Sequence, residues 1–204
     1  MKLVMCEIPT NLEEGIMSTK VFRITLLMIF GSAALSILHA QEIVHATAGA
    51  LAGGTSMSSL SIKEPDQSVE VFRIKGPSSV SVDFDKSLRA KTETVDKLIN
   101  AKTNVIVYYY GYSPQTAIAV KDLGNQVSYI NGKITRSDKG QHTITIRAED
   151  GKDHICYVDA DTTMETSSGV VSGAKDFPRK GQSVSAVCTE DAGKEDAQLI
   201  VMLL

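Results

Sequence analysis

Apolar and polar residues alternate at period two through much of residues 60–203, as they do along strands buried on one face. Leu60 and Ile62, then Val69 and Val71, flank Glu64, Pro65, Asp66 and Gln67. Ile144 and Ile146, then Ile155 and Tyr157, flank Glu149, Asp150, Gly151 and Lys152. Both stretches predict hairpins, with Pro or Gly supplying the turn angles. Residues 105–110 and 117–120 predict a third hairpin around Gly111 and Pro114, and residues 184–187 and 197–202 a fourth around Ala192 and Gly193. Helical spacing is confined to 86–100, and its counterpart, 162–175, is rich in Ser, Thr and Gly. At most a one-turn helix is expected ahead of Leu98 or Phe177.

The four hairpins are two copies of one pattern. Leu60 and Ile62 fall on Ile144 and Ile146, and residues 70–74 fall on 154–158, all at an offset of 84. Asp66 falls on Asp150 in the same register, so one turn is drawn twice. Leu98 and Val105 fall on Phe177 and Val184 at offset 79, and residues 117–123 fall on 197–203 at offset 80. The offset changes in polar stretches, where loops tolerate insertion. The reading is a duplicated module of about 80 residues, spanning 41–123 and 124–204. Five or six short strands per module suffice for a small closed barrel, which removes exposed edges. A sandwich spread over both halves is the alternative.

Ahead of the repeat, Lys20 and Arg23 precede fifteen uncharged residues, 24–38, and then Leu38-His39-Ala40. That order of charge, apolar run and small residue is a secretory signal, and the run is short of the roughly 20 residues a span needs. Cleavage is expected after Ala40, although bulky Leu38 leaves an uncleaved anchor open as the only membrane tie. Glu7, Glu13 and Glu14 are unusual ahead of a signal, so Met17 reads like the true start and residues 1–16 like a mis-assigned extension. The expected location is the periplasm or the medium.

Residues 41–204 carry 18 Lys and Arg against 21 Asp and Glu. A mildly acidic surface lacks the basic stripe that nucleic acid requires. Tryptophan is absent and aromatics make up 5%, so Val, Ile, Leu and Ala must fill the cores. An 80-residue core is marginal by itself and needs a staple or a neighbour.

The second copy reads Gly132-Lys133-Ile134, Thr143-Ile144-Thr145-Ile146, Val158-Asp159-Ala160-Asp161-Thr162, Phe177, Gly181-Gln182-Ser183-Val184 and Ala197-Gln198-Leu199-Ile200. In this series the chain resembles bacterial exported proteins built of tandem small OB-like β-barrels, a domain-of-unknown-function type. The first copy departs from it, with Ala101 in place of the glycine and a blurred Asp-Thr element. The resemblance implies an all-β fold of two OB-like barrels behind a signal segment, and export; it brings no activity.

After cleavage only Cys156 and Cys188 remain of three cysteines. Through the repeat they correspond to Phe72 and Tyr109, so a contacting pair would be aromatic in one copy and thiol in the other. In an oxidising compartment such thiols form a disulfide; closing a loop of this length adds on the order of 3 kcal/mol. Two buried free thiols are the alternative. Neither cysteine has a His or third thiol at ligand spacing, so no metal is expected.

Asp159-Ala160-Asp161-Thr162-Thr163 resembles the nucleophile motif of haloacid-dehalogenase-type phosphatases, in which one Asp attacks phosphorus and the other moves a proton beside Mg²⁺. That chemistry also needs a parallel sheet, and only 41 residues follow Thr163. The competing reading is a strand ending in an Asp/Thr turn. His45, His142 and His154 stand apart from any Ser-His-Asp order. The glycines of 49–54 precede a strand rather than a helix, which rules out a phosphate cradle. Four of six tyrosines lie in 108–112. Alternation puts Tyr109 with Val105 and Val107 in the core and Tyr108 and Tyr110 on the opposite face, with Tyr112 at the turn. Outward tyrosines suit a sugar ring or a partner protein, but packing between the two modules is the preferred reading. The expected function is a non-catalytic exported binding or scaffold protein without cofactor, whose partner is an envelope protein or glycan. A structural component of an envelope assembly is the alternative, and a metal-dependent phosphatase or other hydrolase stands behind both.

Overall fold

Among the described residues, twelve strands and one short helix follow one another as β1 His45–Leu51, β2 Ser59–Lys63, β3 Val69–Ile74, α1 Lys86–Arg89, β4 Asn104–Tyr110, β5 Thr116–Gly124, β6 Val127–Asp138, β7 Thr143–Ala148, β8 Asp153–Tyr157, β9 Thr163–Thr166, β10 Gly169–Ser172, β11 Ser183–Asp191 and β12 Lys194–Leu203. The computed structural model describes residues 42–53, 56, 58–74, 85–93 and 103–203. The signal segment, Ala101 and the predicted helix beyond residue 93 lie outside the described residues. Among these residues, no helix is long and apolar enough to cross a membrane.

The chain is all-β. Strands β1-β2-β3-β5-β4 close into a barrel in that order, with β1 returning to β4. The second half repeats the circuit as β6-β7-β8-β12-β11, closed where β8 meets β12 and β11 meets β6. Both are five-stranded Greek-key barrels of the OB-like kind. Asn125 and Gln126 link them.

The copies agree residue by residue. Ile62 pairs with Glu70 and Ile146 with His154. The parallel seam that closes each barrel is two pairs wide: Arg73 with Thr116 and Ile74 with Ala117 in the first, Cys156 with Glu195 and Tyr157 with Asp196 in the second. A bulge falls between Tyr108 and Tyr109, and again between Val187 and Cys188. The first turn is repeated down to its bonds: Asp66 Oδ1 accepts from Ser68 N at 2.9 Å, Asp150 Oδ1 from Lys152 N at 3.0 Å. Gln67 takes the left-handed φ of 74° and Gly151 one of 82°. Gly49 sits differently from expectation, inside β1 rather than ahead of a strand.

Two faces differ from the hairpin reading. Leu60 pairs with Phe72 and Ile62 with Glu70, so Phe72 and Glu70 turn into the barrel while Val69 and Val71 are exposed. The same register exposes Ile155 and buries Cys156. Turn length fixed the register, and a one-residue phase swaps every side chain.

The stretch 162–175 holds a hairpin, β9 and β10, followed by a single turn in which Lys175 N and Asp176 N both donate to Ser172 O. Met164 is fully buried, and β9 adds to β12 in parallel through residues 199–201. Strands of four residues in Ser/Thr/Gly-rich sequence carry too little pattern to be read locally. The hairpin reaches the first barrel, where Val170 N donates to Val44 O at 2.9 Å. Ala46, Ile106 and Tyr108 of the first barrel share one apolar core with Val170, Val187 and Leu199 of the second. Each large side chain so buried contributes roughly 1.5–3 kcal/mol, so each barrel supplies the neighbour that the other needs.

Candidate functional site

β4 sorts its tyrosines by parity. Val105 and Val107 lie in the core of the first barrel and Tyr109 packs on its edge, while Ile106, Tyr108 and Tyr110 point outward into the core between the barrels. Tyr108 is 0% exposed and its hydroxyl lies 2.7 Å from Thr163 Oγ1 of β9; burial pushes its pKa up to about 12. Tyr108 and Tyr110 are therefore covered by the second barrel, as packing between the modules requires, and form no open docking surface. Tyr112, on the turn after β4, is 87% exposed.

Alternation brings His45 and Thr47 of β1, Glu70 and Phe72 of β3, and Tyr109 of β4 to one mouth of the first barrel. Their rings form a chain: Phe72 to Tyr109 at 5.0 Å between centroids, Tyr109 to His45 at 5.8 Å, His45 to Tyr112 at 6.1 Å. Three carboxylates border it. Glu64 Oε1 accepts from Thr47 Oγ1 at 2.8 Å, and Glu70 Oε1 from Gln115 Nε2 at 2.6 Å. Glu165, from the second barrel, accepts from Ala46 N at 2.8 Å and lies 2.8 Å from His45 Nδ1.

The mouth is electrostatically loaded. Burial raises the Glu165 carboxyl pKa, offset in part by the His45 and Ala46 hydrogen bonds. Burial also raises Glu70, with nearby Glu64 adding to the rise against the Gln115 hydrogen bond. Tyr109 is pushed up to about 12 by burial and then by the charges of Glu70, Glu165 and Glu64. Carboxylates held half-dry beside rings can accept hydroxyl hydrogen bonds or receive a cation. The sequence reading missed Glu64, Glu70, Gln115 and Glu165; the signal for Glu70 was its parity with Phe72.

The second barrel repeats one of these pairs in other residues. His154 and Glu195 stand where Glu70 and Gln115 stand, with His154 Nδ1 3.1 Å from Glu195 Oε1. Deeper in, Cys156 and Cys188 replace Phe72 and Tyr109, and their sulfurs are 3.4 Å apart as two buried free thiols. They are not on neighbouring strands, as a ladder contact would require, but on β8 and β11 to either side of β12.

Asp159 and Asp161 end a strand in a turn. Asp159 Oδ1 accepts from Asp161 N at 2.8 Å and Thr162 N at 3.0 Å. Asp161 pairs with Lys91 Nζ at 3.2 Å, and its carbonyl accepts from Lys121 Nζ at 2.9 Å. Burial lowers the Lys121 pKa, and Asp161 and Asp159 partly restore it. These lysines come from the first barrel and were not legible from the motif. In the second hairpin, Asp150 is paired with Lys152 and Asp153 with Arg147. Among the described residues, no group of three or more His, Cys, Asp or Glu side chains is arranged to hold a metal ion.

A second ion pair joins the barrels beside this turn. Asp85 caps α1, accepting from Ser87 N at 3.0 Å, and its other oxygen lies 2.6 Å from Lys175 Nζ. The Lys175 and Ser87 bonds hold its pKa down at about 2. A carboxylate depressed on folding stabilises the protein above its unfolded pKa, and that contribution fades as pH falls through the folded value. Asn caps a helix as well as Asp does, so Asp85→Asn isolates the charge. It should cost about 1 kcal/mol at pH 7, Lys175 being largely exposed. The gap to wild type should close between about pH 4 and pH 2. Urea titrations across that range measure it, and a gap independent of pH would sink the assignment. No protein family, curated protein or solved structure matches this chain.

Proposed function

We propose that this chain is a non-catalytic, exported binding protein of the cell envelope, that its recognition surface is the mouth of the first barrel, and that its ligand is a glycan. The observation that carries the reading is the ring series Phe72, Tyr109, His45, Tyr112, which runs from the core to an exposed tyrosine between Glu64, Glu70 and Glu165. Sugars offer apolar C–H faces to rings and hydroxyl donors to carboxylates, so this composition suits them. OB barrels elsewhere bind oligosaccharides, a fold-level analogy that supports the reading without carrying it. Export rests on residues 20–40, and under it Cys156 and Cys188 are a disulfide in the mature protein.

Calorimetric titration with a soluble N-acetylglucosamine oligomer, and with a glucose oligomer for comparison, tests the site. Tyr112→Ala should weaken binding about tenfold, the worth of one stacked ring, and leave the melting temperature unchanged. Wild type that binds neither oligomer, or binding indifferent to Tyr112→Ala, would overturn the reading. So would a Mg²⁺-dependent phosphatase activity that disappears in Asp159→Asn. N-terminal sequencing of envelope-localised protein, expected to begin at Gln41, tests export separately.

One observation favours a second reading as a structural component of an envelope assembly. Val71 and Ile155 are exposed at corresponding outward positions of β3 and β8, with Val69 exposed on the same face as Val71, and these are the strands whose seams are only two pairs wide. An obligate oligomer in solution, dispersed by Val71→Lys, would support it over the monomeric binding protein.

A further inference from the structure

We propose that Cys156 and Cys188 form a redox latch that locks the narrow seam closing the second barrel. Cys156 sits in that seam, opposite Glu195, and Cys188 sits at the bulge on the far side of β12, opposite Ala197. Their sulfurs meet at 3.4 Å beneath β12, against about 2.05 Å in a disulfide, so a small side-chain movement joins them. The bond would tie β8 to β11 around the strand that both flank. Two residue pairs hold β8 to β12, whereas nine hold β11 to β12. Within the second barrel the seam thus has the least ladder to lose on local opening. In the first barrel the matching interior positions are filled by the Phe72 and Tyr109 rings, which brace by packing and respond to no oxidant.

Both thiols are fully buried, and the Cys188 pKa is raised by its contact with Cys156, by burial and by Glu195 and Asp196. Thiolate chemistry therefore proceeds on the unfolded chain or with the seam open, and the closed reduced barrel is inert. One cysteine thiolate attacks a sulfur of an organic disulfide, such as oxidised glutathione, forming a mixed disulfide and expelling one glutathione thiolate. The second cysteine thiolate then attacks the protein sulfur of that mixed disulfide and expels the other. The protein gives up two electrons and two protons, and the oxidant becomes two thiols.

The latch rests on the export reading only for its oxidant in the cell, and its chemistry is tested in vitro, so either can fail alone. Full-length protein carrying Cys6→Ser, which leaves only this pair, is refolded with oxidised glutathione or with reductant. Alkylation in denaturant should find no thiol after the first and two after the second. The native reduced form should alkylate about tenfold or more slowly than the denatured chain. Oxidation should slow hydrogen exchange at residues 156–157 and 195–197 and raise the melting temperature by roughly 5–10 °C. A variant with Cys156→Ala and Cys188→Ala should show no difference between the two conditions. Two thiols surviving oxidation, or a disulfide that leaves seam exchange unchanged, would overturn the latch. If refolding is inefficient, native protein incubated with oxidised glutathione in mild denaturant should likewise show no thiol on alkylation, and two surviving thiols would overturn the latch.

Discussion

Tyr108→Ala is expected to destabilise the protein by about 3–5 kcal/mol, the cost of deleting a large buried ring from a packed core. Tyr108 lies fully buried between the barrels, and its hydroxyl reaches Thr163 on the hairpin that joins them. Tyr108→Phe keeps the ring and loses that hydrogen bond, which should cost about 1 kcal/mol. Because the ring belongs to the core that both barrels share, urea unfolding should remain one transition shifted to lower denaturant. A change of less than about 0.5 kcal/mol, usual for a surface site, would place Tyr108 on an open face instead of in the shared core.

Gly132→Ala is the second large effect, and its cause is backbone against backbone. β6 pairs with β11 through residues 127–133 and with β7 from residue 132 onward, so Gly132 stands where the strand passes from one neighbour to the next. A Cβ there would lie 2.2 Å from the carbonyl oxygen of Arg147 and 2.9 Å from Ile146 Cγ2. No rotamer relieves a contact with a carbonyl, so β6 and β7 must separate, at about 3 kcal/mol or more. Gly49 holds the matching place in β1, 2.7 Å from the Lys63 oxygen. Gly49→Ala should cost less, about 1–3 kcal/mol. Gly140→Ala is the control: its nearest neighbour, Asp138 Oδ1, would be 3.6 Å away, and the change should stay within about 0.5 kcal/mol. Thermal unfolding of the three variants ranks them, and equal costs at 132 and 140 would sink the close-approach argument.

The paired glycines show what a duplication lends to a sequence reading. Offsets alone place Ile62 on Ile146 and Val105 on Val184, and the ladders hold both pairs on matching strands. The correspondence of Phe72 and Tyr109 with Cys156 and Cys188 also survives in space, rings in contact in one barrel and sulfurs in the other. These were legible because turns and alternation are local, and because two noisy copies of a pattern check each other.

The sequence by itself determined an all-β chain, its duplication, the repeated Asp66 and Asp150 turn, and the correspondence of the two cysteine positions with Phe72 and Tyr109. Only the tertiary structure decided which face of β4 the second barrel would cover. Both faces of that strand carry apolar and aromatic residues, so period two separates Tyr109 from Tyr108 and Tyr110 without saying which side meets water. Tertiary structure also decided that β9 and β10 are strands, since parallel pairing to β12 and the burial of Met164 outweigh weak local propensity. Above all it gathered His45, Glu64, Glu70, Tyr109, Tyr112 and Glu165 at one mouth. They come from both copies and lie up to 120 positions apart, and no local spacing encodes a meeting that depends on how two closed barrels dock.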